Sequence, residues 1–131
     1  MGVVVVDASV LIANISRHDA HHESARRELK EVRRQHTLAL PAVAFSEALV
    51  APYRTSQSDG RTVEGGLRRL GRVEPITDAI ASRAAQFRAK RQIKLPDALI
   101  LATAVELRAR EILTFDRRWQ SVDPRVRLLN S

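Results

Sequence analysis

The sequence predicts an α/β domain with a central, mostly parallel sheet of four to five strands. Short apolar runs alternate with longer segments of helical periodicity, as "VVVV" and "SVLIANI" do in residues 3–15. The chain has 131 residues, of which 44% are hydrophobic, which is enough for one buried core. We therefore expect residues 1–131 to form a single domain.

Residues 1–53 contain two predicted strands and three predicted helices. The four valines of "VVVV" are β-branched and uninterrupted, which is typical of a strand that is buried on both faces. The strand "TLALP" ends at a proline, which suits a helix start because its missing N–H has no partner there. The predicted strands are residues 3–6 and 37–41, and the predicted helices are residues 9–15, 18–35 and 41–53.

The second half of the chain repeats this alternation. The segment "RTSQSDG" is rich in turn-forming residues and therefore predicts a loop. Thr77 can cap the helix that follows it, and Pro96 suits the first turn of another. The predicted elements are a loop at 54–60, helices at 60–71, 78–91 and 96–108, and strands at 73–76, 111–116 and 126–130.

Composition limits the class of partner. The 22 basic and 15 acidic residues leave a formal charge of +7, which favours a polyanionic partner such as nucleic acid or an acidic protein. There is no cysteine, so disulfide frameworks and thiolate metal sites are excluded, in agreement with a reducing cytoplasm. No segment approaches the length of a membrane span, so we expect no membrane partner.

Two acidic residues follow predicted strands. Asp7 comes directly after residues 3–6, and Asp116 ends the strand at 111–116. The ligand crevice of an open parallel sheet lies at the carboxyl ends of its strands, so both acids are predicted to border it. Taken alone, Asp7 is equally compatible with a helix cap, and Asp116 with a turn residue before Arg117.

Two further acids lie on predicted apolar helix faces. Asp97 shares its stripe with Ile100, Leu101, Ala104 and Val105. Glu47 has Val43, Ala44, Val50 and Ala51 as its helical neighbours. The simpler interpretations are a favourable charge in the first helical turn for Asp97 and an arginine partner for Glu47.

The four acids together indicate a metal site. Carboxylates crowded at one crevice raise each other's pKa and oppose folding, and a bound divalent cation removes that conflict. A ligand set of oxygens, without cysteine or an obvious histidine set, favours Mg²⁺ or Mn²⁺ over Zn²⁺. His18 and His22 have the i, i+4 spacing of a zinc pair, but we favour a polar helix entrance capped by Asp19.

The motifs "VVVVDASVLIA", "PAVAFSEAL", "KLPDALILATA" and "EILTFDRRW", in this order, resemble the PIN-domain ribonucleases, specifically the VapC toxins of toxin–antitoxin pairs. The resemblance covers nearly the whole chain. It implies a PIN-like three-layer α/β/α fold, a cytoplasmic endoribonuclease that uses Mg²⁺ or Mn²⁺, and a homodimer. It also implies a cognate VapB-type antitoxin whose C-terminal segment blocks the site.

The resemblance also implies roles for individual residues. The catalytic and metal-binding acids would be Asp7, Glu47, Asp97 and Asp116. Ser9 and Thr114 correspond to small polar residues near the metal. Candidates for holding RNA phosphates by charge-assisted contacts are Arg54, Arg91, Lys94, Arg117 and Arg118.

The function that this resemblance implies is cleavage of RNA phosphodiester bonds by a metal-activated water. The alternative is a non-catalytic RNA- or protein-binding module on the same fold. A haloacid-dehalogenase-type phosphatase is disfavoured, because Ser9 occupies the place of its second aspartate. Trp119 is expected to close the core beside Phe115 rather than to stack on a base.

Overall fold

Five parallel strands form one sheet in the computed structural model of the protein, which describes residues 2–130. The strands are β1 (Val3–Val6), β2 (Thr37–Pro41), β3 (Arg72–Glu74), β4 (Glu111–Thr114) and β5 (Val126–Leu128). The helices are α1 (Ala8–Ile15), α2 (His22–Arg33), α3 (Ala42–Thr55), α4 (Gln57–Leu70), α5 (Asp78–Lys90) and α6 (Leu95–Glu106), with a short 3-10 helix at Arg117–Trp119.

The order of the strands explains where the crevice lies. The sheet runs β3-β2-β1-β4-β5, so the chain leaves the central strand β1 in one direction through β2 and β3 and returns to its other side at β4. Right-handed crossovers in opposite directions place their helices on opposite faces, with α1–α4 on one face and α5 and α6 on the other. The predicted three-layer α/β/α fold is therefore confirmed, and its topological switch point lies between β1 and β4.

The core is built around β1 and α6. The three residues at 4–6 are fully buried, as their unbroken valine run predicted. Every residue at positions 98–104 of α6 is also buried, because this helix lies between the sheet and α5. Trp119 is only 3% exposed and belongs to the core, which confirms the prediction made for it.

The predicted loop at 54–60 is wrong. Ser56 alone separates α3 from α4, and its side chain accepts a hydrogen bond of 2.9 Å from the backbone N–H of Asp59. Gly60 lies inside α4, where a Cβ atom would stand 2.1 Å from the ring of Tyr53. Serine, aspartate and glycine favour turns, but the same residues cap a helix and allow close packing of two helices.

The second predicted helix begins later than expected. The segment 18–21 forms a turn in which Asp19 accepts a hydrogen bond from the backbone N–H of His21, and α2 begins only at His22. His18 is therefore outside the helix, and the Nδ1 atom of His22 lies 2.8 Å from the backbone carbonyl of Ala13. This buried contact supports the choice against a zinc pair. Within residues 2–130, no helix is both long and apolar enough to cross a membrane.

Candidate active site

Asp7 and Thr114 meet at the switch point because β1 and β4 are neighbours. Val6 pairs with Leu113 in the sheet, which brings the next residue of each strand side by side. Asp7 is 5% exposed, and its Oδ2 atom accepts hydrogen bonds of 2.8 Å from the hydroxyls of Thr114 and Ser9. The two hydroxyls in turn accept from the backbone N–H groups of Asp116 and Phe115.

This network decides between the interpretations of Asp7. Asp7 is the N-cap residue of α1, but its side chain makes no capping hydrogen bond. Instead, both hydroxyls hold one carboxylate oxygen, and Oδ1 has no hydrogen-bond partner within the described residues. Ser9 and Thr114 thus fix the carboxylate through one oxygen and leave the other available, as expected for a binding group.

Asp97 faces the crevice from the start of α6. Lys94 is the N-cap residue of this helix, and no side chain supplies a capping hydrogen bond, so Asp97 does not act as a cap. Its half-buried carboxyl has a raised pKa because of desolvation and then because of the negative charge of Asp7. The positive charge of Arg118 opposes this shift. Asp97 is therefore held near a second carboxylate, which disfavours its charged form.

Glu47 is more exposed than the sequence predicted. Of its predicted apolar neighbours only Ala44 is buried, and Val50 is 46% exposed. The prediction that it lies on the core-facing side of α3 is wrong, because that side follows Ala44, Ala48 and Leu49. The pKa of Glu47 is nevertheless raised by partial desolvation and by the charges of Asp7 and Asp97, so its carboxyl borders the same crevice.

Asp116 has an arginine partner. The guanidinium of Arg118 donates from Nε to both carboxylate oxygens at 3.1 Å and from Nη2 to Oδ2 at 2.7 Å. These bonds lower the pKa of Asp116. The carboxylate also caps the short 3-10 helix by accepting from the N–H of Arg118, which confirms the turn interpretation of Asp116.

A cationic cavity adjoins the acids. It has a volume of about 210 Å³ and is lined in part by Asp97, Arg118, Lys94 and Arg91. The guanidinium of Arg91 donates a hydrogen bond of 2.9 Å to the backbone carbonyl of Val122, which fixes it at the wall. Three of the five predicted phosphate-binding residues therefore meet at one place beside the carboxylates.

The other two candidate cations lie outside this cavity. Arg117 is exposed in the 3-10 helix, and Arg54 is exposed in the last turn of α3, seven residues beyond Glu47. The sequence reasoning missed a nearby aromatic pair, His21 and Phe115, whose rings stack with centroids 4.3 Å apart. Its only sequence signal was the histidine-rich "RHDAHH" segment, which indicated a polar helix entrance rather than a contact with residue 115.

The oxygen atoms at this site are suitable ligands for a hard divalent cation, although the carboxylates do not form a complete coordination shell. Carboxylate and hydroxyl oxygens are ligands that Mg²⁺ and Mn²⁺ accept. Among residues 2–130, no three His, Cys, Asp or Glu side chains lie close enough together to hold a metal ion. The charges of Asp7, Glu47 and Asp97 nevertheless influence one another, since Asp7 raises the pKa of both Glu47 and Asp97.

The comparisons with known proteins agree with the fold. The PIN domain family model matches residues 4–124, whereas no curated protein matches the sequence. A toxin–antitoxin complex from Klebsiella pneumoniae has 24% identity and a TM-score of 0.80, with 95% of each chain covered. The sarcin–ricin-loop-cleaving toxin VapC20 from Mycobacterium tuberculosis has 18% identity and a TM-score of 0.72, with 91% of this chain and 94% of that chain covered.

A third similar structure is VapBC2 from Rickettsia felis, bound to a DNA fragment from their promoter. It has 12% identity and a TM-score of 0.80, and the likeness covers 98% of this chain and 99% of that chain. These identities show a shared fold, and the family model shows more, because it matches nearly the whole sequence. The chain therefore belongs to the PIN domain family.

Proposed function

We propose that this protein is a metal-dependent endoribonuclease and acts as the VapC-type toxin of a toxin–antitoxin pair, with residues 1–131 forming one PIN domain. The observation that carries the proposal is the Asp7 carboxylate, which Ser9 and Thr114 hold at the switch point near Asp97, a lining residue of the cationic cavity. A protein with a net charge of +7 that gathers acids in this way can combine cation binding with attraction of a polyanion.

The four acids have different parts in this proposal. Asp7 and Asp97 would bind Mg²⁺ or Mn²⁺ directly, and Glu47 and Asp116 would bind it directly or through water. When bound there, a divalent ion would supply a water molecule of lowered pKa as the nucleophile for hydrolysis near neutral pH. Ser9 and Thr114 keep the Asp7 carboxylate in one orientation, which limits the rearrangement that cation binding requires.

The cations have a separate task. Arg91, Lys94 and Arg118 line the cavity beside Asp97 and would hold RNA phosphates there, while Arg54 and Arg117 would contact the strand farther out. Arg118 is hydrogen-bonded to Asp116 in this structure. An RNA phosphate would therefore replace the Asp116 carboxylate as the partner of this guanidinium. The products of hydrolysis would carry a 5′-phosphate and a 3′-hydroxyl.

The proposed partners follow from the family and the structural likenesses. The similar structures include a toxin–antitoxin complex, so we propose a VapB-type antitoxin whose C-terminal segment enters the crevice. An arginine of that segment among the acids and acidic residues at the cationic rim would match both signs of charge. We further propose that the toxin is a homodimer and acts in the cytoplasm.

The decisive experiment is a cleavage assay on structured RNA with Mg²⁺, with Mn²⁺ and with EDTA. The wild type should cleave only with metal, and Asp7→Asn and Asp97→Asn should reduce cleavage to background. Asp78→Asn is the matched control, because Asp78 also lies in the first turn of a helix but is exposed. It is not one of the four acids Asp7, Glu47, Asp97 and Asp116, which we call the acid cluster. RNA binding without cleavage under all three conditions would establish the non-catalytic binding module instead.

A growth assay tests the toxin assignment separately. Expression in a bacterial host without antitoxin should arrest growth, and Asp7→Ala should relieve the arrest. The variant must accumulate as folded protein, which circular dichroism of the purified protein verifies. Undiminished toxicity of a folded Asp7→Ala variant would rule out the nuclease mechanism.

A further inference from the structure

A second charged surface lies on α2, away from the acid cluster. Its five cations recur at positions i, i+1, i+4, i+7 and i+8 and therefore share one helix face. They are all exposed, and we call them the α2 stripe: Arg26, Arg27, Lys30, Arg33 and Arg34.

Most of this positive charge is not compensated within the chain. Arg34 has an exposed ion pair of 3.6 Å with Glu31, and Arg33 donates to the backbone carbonyl of Arg69 at 3.4 Å. The side chains of Arg26, Arg27 and Lys30 have no ion-pair or hydrogen-bond partner in the part of the chain that the structure describes.

The stripe borders an open groove. The groove has a volume of about 770 Å³, and its other lining residues include Asn14 at the end of α1 and Leu70 at the end of α4. The buried Leu29 lies at its floor. An open groove that is lined by five cations and one acid, Glu23, suits an extended polyanion, because successive charges of such a chain meet successive cations.

The beginning of α2 connects the stripe with the acid cluster. His21, which precedes the helix, stacks on Phe115, and the backbone N–H of Phe115 donates to Ser9 of the Asp7 network. From His22 to Arg26 the helix rises about 6 Å, and the stripe extends about 12 Å farther. That length matches three to four phosphates of one strand of a duplex.

We propose that the α2 stripe binds the sugar–phosphate backbone of RNA whose scissile bond lies at the acid cluster. The inference rests on the proposed ribonuclease function, which supplies RNA as the ligand. Contacts between these cations and phosphates carry no sequence information, so the stripe adds affinity and orientation for any strand that continues from the site. An acidic protein segment matches the charge as well, but the stacking of His21 on Phe115 places the start of α2 beside the Asp7 network, which favours a strand that runs between the two.

The test is RNA binding in EDTA, where no metal supports cleavage. We compare the wild type with a triple variant, Arg26→Gln, Arg27→Gln and Lys30→Gln, using a fluorescent RNA of about 20 nucleotides and fluorescence anisotropy. The variant should bind at least 10-fold more weakly at low salt. The slope of log K against log salt should fall by about 2, since each lost phosphate contact on a single strand contributes about 0.7.

The control variant removes the same charge elsewhere on the surface, by Arg83→Gln, Arg108→Gln and Arg110→Gln in α5 and just after α6. It should change affinity and salt slope much less than the stripe variant. Equal losses in both variants would overturn the inference, because net charge alone would then explain binding. Unchanged RNA affinity of the stripe variant would overturn it too and would leave the ribonuclease proposal intact.

Two further outcomes separate this inference from the proposed function. If the wild type cleaves no RNA with metal, but RNA binding still depends on the stripe, the ribonuclease proposal fails and the stripe stands as an RNA-binding surface. Stripe-dependent binding of a labelled polyglutamate peptide, without stripe-dependent binding of RNA, would make an acidic protein segment the occupant and would overturn the inference.

Discussion

Thr114 and Asp7 are 107 residues apart in the chain, and their side chains share a buried hydrogen bond of 2.8 Å at the carboxyl edge of the sheet. The same hydroxyl accepts from the backbone N–H of Asp116 at 3.0 Å. One threonine therefore positions two of the four acids. Its strand, β4, joins the site to the sheet through its pairing with β1.

Replacing Thr114 by valine keeps its shape but removes both hydrogen bonds. We expect a loss of about 1–3 kcal/mol in the free energy of unfolding, because the buried carboxylate of Asp7 and an N–H group lose a partner. Thr103→Val is the matched control, since Thr103 is equally buried but bonds only to the carbonyl of Leu99 in its own helix. Urea unfolding measures both, and a smaller loss for Thr114→Val than for Thr103→Val would contradict this role.

The role of Asp97 is tested by its response to metal. With EDTA, Asp97→Asn should melt at the same temperature as the wild type or higher, because it relieves repulsion from Asp7. With Mg²⁺ or Mn²⁺ the wild type should gain melting temperature by mass action, and the variant much less. Asp78→Asn should respond to metal like the wild type. Equal metal-induced shifts in Asp97→Asn and the wild type would remove Asp97 from the set of ligands.

The raised pKa values of Asp97 and Glu47 predict a pH dependence in the metal-free protein. The folded state favours the neutral form of both carboxyls. Their contribution to the free energy of unfolding is therefore present below their pKa values in the unfolded state, and it is lost as pH rises through their pKa values in the folded state. The double variant Asp97→Asn and Glu47→Gln should therefore gain stability over the wild type as pH rises from 4 to 7. Chemical unfolding in EDTA at several pH values measures the difference in unfolding free energy between the double variant and the wild type. A difference that stays constant with pH would refute the prediction.

The junction between α3 and α4 depends on the cap at Ser56. Ser56→Ala removes the hydrogen bond to the N–H of Asp59 and should cost about 1 kcal/mol of unfolding free energy. Ser58→Ala, an exposed change two residues later within α4, should have little effect. Equal effects of the two changes would mean that the cap does not stabilise this helix start.

The proposed homodimer is tested through an exposed apolar residue. Val50 is 46% exposed on α3, so we expect it to be covered by a second protomer together with the "VEGGLRRLG" segment of α4. Light scattering at micromolar concentration should show a dimer for the wild type, and Val50→Glu should shift it to monomer. Ile76→Glu, at an equally exposed position after β3, should remain dimeric. A wild type that is monomeric both alone and with antitoxin would contradict the dimer.

The sequence alone was sufficient for the α/β class, for the strand at Val3–Val6, for the helix cap at Thr77 and for Pro96 in the first turn of a helix. These features depend on local periodicity and on residues whose preference does not change with context. It also placed Asp7 and Asp116 at the carboxyl ends of their strands, because that placement follows from chain order in any parallel sheet. It mistook residues 54–60 for a loop, since serine, aspartate and glycine serve helix starts as well as turns.

Only the tertiary structure decided which side chains meet. The pairing of β1 with β4 brought Thr114 next to Asp7, and the 3-10 helix brought Arg118 within hydrogen-bond distance of Asp116. Spacing along the chain specifies neither contact. The exposure of Glu47 was misjudged because neighbouring apolar residues do not determine which side of α3 the sheet covers. The stacking of His21 on Phe115, 94 positions later in the sequence, likewise arises from packing between distant segments, which local sequence patterns do not encode.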